Sequence, residues 1–191
     1  MLTGKEILIT VLIIFILYFI KQKQDNTVTI FGFEQFHKVN DLPDKEHSAK
    51  LLEEIKNRLT RLIEHCNDTA KSKEEEKEIE PLNDRFKVDN VQEANIYDEG
   101  TSFTIDKGKE LHLCLRDKDT FQHHDINTLM FVAIHELAHV MSISYGHNNE
   151  FSENFVYLLK KASEIGVYTP IDYKTNNKNF CGIVIDANPL F

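Results

Sequence analysis

The sequence predicts an α+β protein: an N-terminal transmembrane helix and its flank (1–24), then one small domain (25–191) in which a small sheet or hairpin packs on helices, one of them buried. Three observations carry that prediction. An uncharged apolar block opens the chain, apolar residues recur at helical spacing in three later segments, and two short alternating runs flank a turn. With 191 residues, 41% of them hydrophobic and 28% charged, the chain has the make-up of an ordinary folded domain rather than a disordered or collagen-like one.

The opening block is Ile7–Ile20 (ILITVLIIFILYFI), bounded by Lys5-Glu6 and Lys21. Its 14 residues cover roughly 21 Å as a helix, against roughly 30 Å of hydrocarbon. A span therefore has to take length from Leu2 to Gly4 and let its lysines snorkel. The block leads into Lys21-Gln-Lys23-Gln-Asp25 rather than a small-residue cleavage site, so an uncleaved anchor is expected in preference to a signal peptide. Lysines on both sides leave the orientation nearly balanced, and the domain is expected to face the cytoplasm.

Residues 25 to 45 read as a tether with one short strand, Thr27 to Phe31. Leu51, Leu52, Ile55, Leu59, Leu62, Ile63 and Cys66 draw one helical stripe, which predicts an amphipathic helix over 45–67. The run Lys71 to Glu80 (KSKEEEKEIE) has little apolar period and meets Pro81, so 70–81 reads as a solvated charged linker or helix tail. The core of the domain is expected over 101–166. Its hairpin pairs Thr101–Ile105 with Glu110–Leu115 around Asp106-Lys107-Gly108-Lys109. Ile126–Ile143 is apolar on nearly every face, as a helix crossing the core must be. Gly146 ends that segment, Phe151 to Ile165 draw another stripe closing at Gly166, and Phe180 to Ile185 add a short strand.

Net charge is -9, with a pI near 5.5 and a mean hydropathy of -0.36. Residues 1–24 carry +2, which leaves -11 on the domain. Phosphate contacts need a surplus of Lys and Arg, so no nucleic-acid partner is expected. Cys66, Cys114 and Cys181 are too few and too widely spaced for a disulfide framework or a zinc ribbon, and reduced thiols are expected.

The chemistry sits in His135-Glu136-Leu137-Ala138-His139. Histidines four apart stack on one helix face, where both rings can reach one zinc ion, and Glu136 can lie beside the metal without ligating it. From that place a carboxylate takes a proton from a metal-activated water. Nine His and eighteen Glu in this chain would give this pattern by chance only roughly 0.04 times. A catalytic zinc usually has three protein ligands. His147 is the best third, because Gly146 can turn the chain back past the helix end. Glu150, Glu153 and Glu164 compete for that place, while His123-His124 reads as part of a solvated loop.

The run His135–Phe151 (HELAHVMSISYGHNNEF) resembles the small zincins of the WLM and SprT-like type, whose HExxH helix is followed by a glycine-histidine pair and a phenylalanine four residues later. The resemblance implies a minimal zincin-like metallopeptidase domain, His135, His139 and His147 as ligands of one Zn2+, Glu136 as general base and a polypeptide substrate. It covers about a third of the chain, and the spacing from His139 to His147 does not support the metzincin pattern. An Asn-, Lys- and Ile-rich make-up is similar to that of proteins encoded by large DNA viruses, which makes a virion membrane the alternative location.

The leading expectation is thus a membrane-anchored zinc metallopeptidase, with Glu110–Leu115 presenting an edge to an extended substrate. Tyr145, Tyr157, Tyr168 and His112 are candidate donors to the oxyanion. The alternative is a non-catalytic, zinc-stapled interaction protein with a fourth ligand among Cys114, Cys181 and His112. A protease of DNA-bound proteins is a third reading, against which the domain's acidity counts.

Overall fold

The computed structural model of the chain describes residues 4–24, 26–32 and 35–191, with the backbone alone for 18–24. Helix α1 (Gly4–Gln24) is followed by strands β1 (Thr27–Phe31) and β2 (Phe36–Asn40), which pair antiparallel. The tether therefore folds back as a hairpin rather than running free.

The expected transmembrane anchor is corrected. Among the described residues no helix is long and apolar enough to cross a membrane. The uncharged stretch inside α1 is only Ile7–Ile20, and Lys5, Glu6, Lys21 and Lys23 fall within the same helix. Extending the block to membrane length thus brings in charge, and Leu2 and Thr3, part of the expected extension, lie outside the described residues. The apolar side chains from Ile7 to Leu17 are half or more exposed.

Helix α2 (Lys45–Thr69) buries Leu52, Ile55, Leu59, Leu62 and Cys66 completely. Residues 70–81 are not a linker: α3 runs from Lys73 to Arg85 with Pro81 inside it. Ser72 caps it by accepting from the Glu75 amide, and Ile79 and Leu82, three apart, seat it on the core. Two anchoring residues suffice to dock a helix whose remaining surface is charged.

Strands β3 (Val91–Glu93), β4 (Phe103–Ile105) and β5 (Glu110–Leu113) form one sheet in the order β3-β5-β4. β4 and β5 are the predicted hairpin, and β3 adds parallel to β5. That makes β5 the central strand, so the expectation that Glu110–Leu115 presents a free edge is corrected: the edges of this sheet are β3 and β4. Helix α4 (Ile126–Met141), capped by Asp125 on the Thr128 amide, packs against α2, α3 and α5 (Asn149–Glu164) and buries most of its length. Gly108 in the β4–β5 turn has φ +106, and a Cβ there would meet Val140 of α4 at 2.6 Å, so glycine alone lets this turn close on the helix.

A last hairpin, β6 (Lys178–Phe180) and β7 (Ile183–Ile185), is joined to the end of β5 by a disulfide between Cys114 and Cys181. The expectation of three reduced thiols is corrected accordingly: only Cys66 is free, and burial raises its pKa to about 11. A separation of 67 residues left no local sign of the pairing.

Candidate metal centre

α4 holds His135 and His139 one turn apart, and the loop 142–148 brings up His147. The loop returns because Gly146 takes φ +84, a left-handed conformation that glycine adopts without strain. Nε2 of His147 lies 3.0 Å from that of His135 and 3.1 Å from that of His139. One nitrogen from each ring falls within 4.8 Å of the others. Tetrahedral ligands at about 2.0–2.1 Å from a shared ion stand about 3.3 Å apart, so this set can hold a metal ion. Three ring nitrogens meeting this way cannot satisfy one another by hydrogen bonds alone, since each presents either a donor or an acceptor and never both.

Two of the rings are held neutral, the form that can ligate a metal. Burial first, then the neighbouring histidines, lowers the pKa of His135 to about 3. Burial, followed by His147 and Lys107, brings His139 to about 4. Phe151 backs all three rings, with centroids at 4.8, 4.3 and 4.7 Å from His135, His139 and His147. Phe155 adds a fourth contact, 5.2 Å from His135.

Glu136 points into the same cleft, a space of about 670 Å³ that its side chain shares with the three histidines. It is only 7% exposed, and burial raises its pKa to about 7. Phe103 and Thr104 of β4, Lys107, Tyr145 and Ile183 wall the cleft. The disulfide-held hairpin therefore contributes to the site as well as to the core.

Along 189 residues the chain is 35% identical to the uncharacterized protein R325 of Acanthamoeba polyphaga mimivirus, an alignment that spans 97% of this chain and 96% of the viral one. The chain belongs to the R325 family. Shorter stretches of this R325-family chain match two iridescent virus proteins, likewise uncharacterized. It is 41% identical over 105 residues to 042R of Invertebrate iridescent virus 3, covering 55% of this chain and 62% of that one. With 136R of Invertebrate iridescent virus 6 it shares 38% over 93 residues, covering 48% and 51%. No family model and no solved structure matches the chain.

The R325-family fold separates the remaining sequence candidates. Glu150 is engaged outside the histidine cluster, accepting from the Ile143 and Ser144 amides at 2.6 and 3.0 Å. Glu153 lines a separate groove beside Glu74 and Glu78, and Glu164 pairs with His65 at 2.8 Å. Of the four candidate oxyanion donors only Tyr145 reaches the cleft, 85% exposed. His123 and His124 are corrected from a solvated loop to half-buried positions.

His123 belongs to a constellation that sequence reasoning missed. Its Nε2 lies 2.9 Å from Ser48 Oγ and its Nδ1 3.4 Å from Asp44, an arrangement with the outline of a nucleophilic triad. Ser48, however, is 0% exposed. Arg116 donates to its hydroxyl, to Asp44 at 2.6 Å and to the buried Glu93 at 2.9 Å. The guanidinium fills the centre of the cluster, so this is a packed polar network closed to any substrate.

Proposed function

We propose that this chain is a zinc metallopeptidase that hydrolyses peptide bonds at the cleft above α4. The observation that carries the proposal is the convergence of His135, His139 and His147 on one side of a cleft that Glu136 also enters. His135, His139 and His147 would hold the zinc, which when bound would supply a Lewis acid for a scissile carbonyl and lower the pKa of a water toward about 7. Glu136 would take a proton from the attacking water as the water oxygen adds to the carbonyl carbon. The same carboxyl then gives the proton to the leaving amine as the C–N bond breaks. β4 is an edge strand whose Phe103 and Thr104 line the cleft, so an extended polypeptide can lie along it and satisfy its backbone groups in any sequence.

Nothing favours a structural staple as strongly. A closed zinc site needs a fourth protein ligand. Of the three proposed, Cys114 and Cys181 are bonded to each other and His112 is engaged by Glu110 at 2.9 Å. The likeness of His135–Phe151 to the WLM and SprT-like zincins supports the same reading.

The deciding experiment measures bound metal and cleavage of labelled unfolded casein by the full chain and by Glu136→Gln. Both proteins should carry zinc, and the variant should lose at least about 10²-fold in rate. Stoichiometric zinc in a parent that cleaves neither casein nor peptides would overturn the enzymatic reading in favour of a structural one.

A further inference from the structure

His135 and His139 ride on a helix, but His147 depends on a loop, and the loop's order must come from somewhere. Its first three residues are gripped from two sides. Lys107 Nζ donates to the carbonyls of Ser142, Ile143 and Ser144 at 3.0, 2.8 and 2.5 Å. Its ammonium also lies 4.1 Å from the centre of the Tyr145 ring. Arg85 reinforces the grip, donating to Val140 O and Ser142 O at 3.2 Å each. Two cations thus serve the carbonyls that the end of α4 leaves unpaired.

On the amide side, Glu150 collects the N–H groups of Ile143 and Ser144 and also the Ser144 hydroxyl. Asn148 donates to that same hydroxyl at 2.6 Å while its own oxygen caps α5 through the Phe151 amide. The turn that delivers Lys107 is itself fixed, because Gly108 touches Val140. Carbonyls on a cation and amides on an anion leave this stretch of backbone little freedom before it reaches Gly146 and His147.

We propose that Lys107 and Glu150 are positioning residues that pre-order His147 and so set how long the metal stays bound. The proposal rests on the metal-centre reading above. A third ligand that is already placed loses less conformational freedom on binding than one on a loose loop, and the gain appears mainly in slower release. Outer groups that orient a ligand in this way are commonly worth about 10–100-fold in metal affinity.

The test uses the full chain loaded with Zn2+ and follows metal release to a chromogenic chelator for the parent, Lys107→Met, Lys107→Arg, Glu150→Gln and His147→Ala. The thermal midpoint of each metal-free protein is measured alongside. Lys107→Met and Glu150→Gln should release zinc about tenfold faster with metal-free midpoints close to the parent's. Lys107→Arg should recover much of the loss, and His147→Ala should set the upper limit. Release rates equal to the parent's in Lys107→Met and Glu150→Gln, whether or not the midpoint falls, would overturn the positioning role while leaving the metal centre intact. A parent that takes up no zinc, or a His147→Ala that releases it no faster, would instead overturn the centre itself.

Discussion

Two histidine clusters lie in this molecule, and they differ in one decisive respect. Around His135, His139 and His147 three rings meet at a cleft with a carboxylate nearby, and the cation on the cleft wall, Lys107, is taken up by loop carbonyls. Around His123 a second ring, His47, approaches to 4.5 Å, and Asp44 and Ser48 complete an arrangement with equal catalytic promise on paper. There, however, Arg116 occupies the middle and donates to Ser48, Asp44 and Glu93 alike. A cluster becomes a site when its donors converge on a space that the protein leaves open, and becomes a staple when the protein supplies its own counter-ion.

The largest effect that separates the two is on stability. Arg116 and Glu93 have side chains 2% and 1% exposed, and Glu93 also accepts from the Asn40 amide at 2.8 Å. Removing Glu93 takes one of two carboxylates from the buried Arg116 and the acceptor from the Asn40 amide, at a cost of about 1–3 kcal/mol. Glu93→Ala should therefore lower the urea midpoint steeply, whereas the folded fraction should bind metal with the parent's stoichiometry. Loss of metal at unchanged stability would show that the clusters are not independent.

How much of this could be read from residues alone depends on the range of the interactions. The convergence of the three histidines was legible because two sit four apart on a helix and the third comes just after a glycine whose φ of +84 is what the turn requires. The stripes of α2 and α5 and the β4–β5 hairpin were legible for the same reason, their signals being local. Arg116 and Glu93 were not, because they meet only through the parallel pairing of β3 with β5. Cys114 and Cys181 meet only when the last hairpin docks. The full length of α3 was not legible because Pro81 reads as a stop, although helix packing through Ile79 and Leu82 outweighs the one hydrogen bond that proline removes. The anchor was overread for the opposite reason: a strong local signal was stretched past the charges that bound it.

A smaller effect is expected with pH. Burial, then Arg116 and His47, lowers the pKa of His123 to about 4, while Asp44 pulls the other way and His124 adds a weak repulsion. The folded protein keeps this ring neutral where the unfolded chain, near 6.5, already binds a proton. Its contribution is therefore intact above about pH 6.5 and declines as pH falls toward about 4, by about 1–2 kcal/mol after allowance for solvent screening. In the metal-free protein, where the titration of His135 and His139 is common to both, the parent should lose stability over that window relative to His123→Gln. Parallel pH profiles would show that the ring is not held neutral by its burial.

The smallest effect is the sharpest discriminator, because it concerns function at nearly constant stability. Ser48→Ala removes the hydroxyl between Arg116 and His123, each of which keeps Asp44 as a partner. The expected loss is about 1 kcal/mol, the net worth of a hydrogen bond whose neighbours remain paired. Peptide hydrolysis at the cleft should be unchanged, since Ser48 is 0% exposed and a nucleophile must touch the carbonyl it attacks. If cleavage instead falls as it does in Glu136→Gln, the outline of a triad around His123 is a working one. The contrast between an open and an occupied cluster would then have to be abandoned.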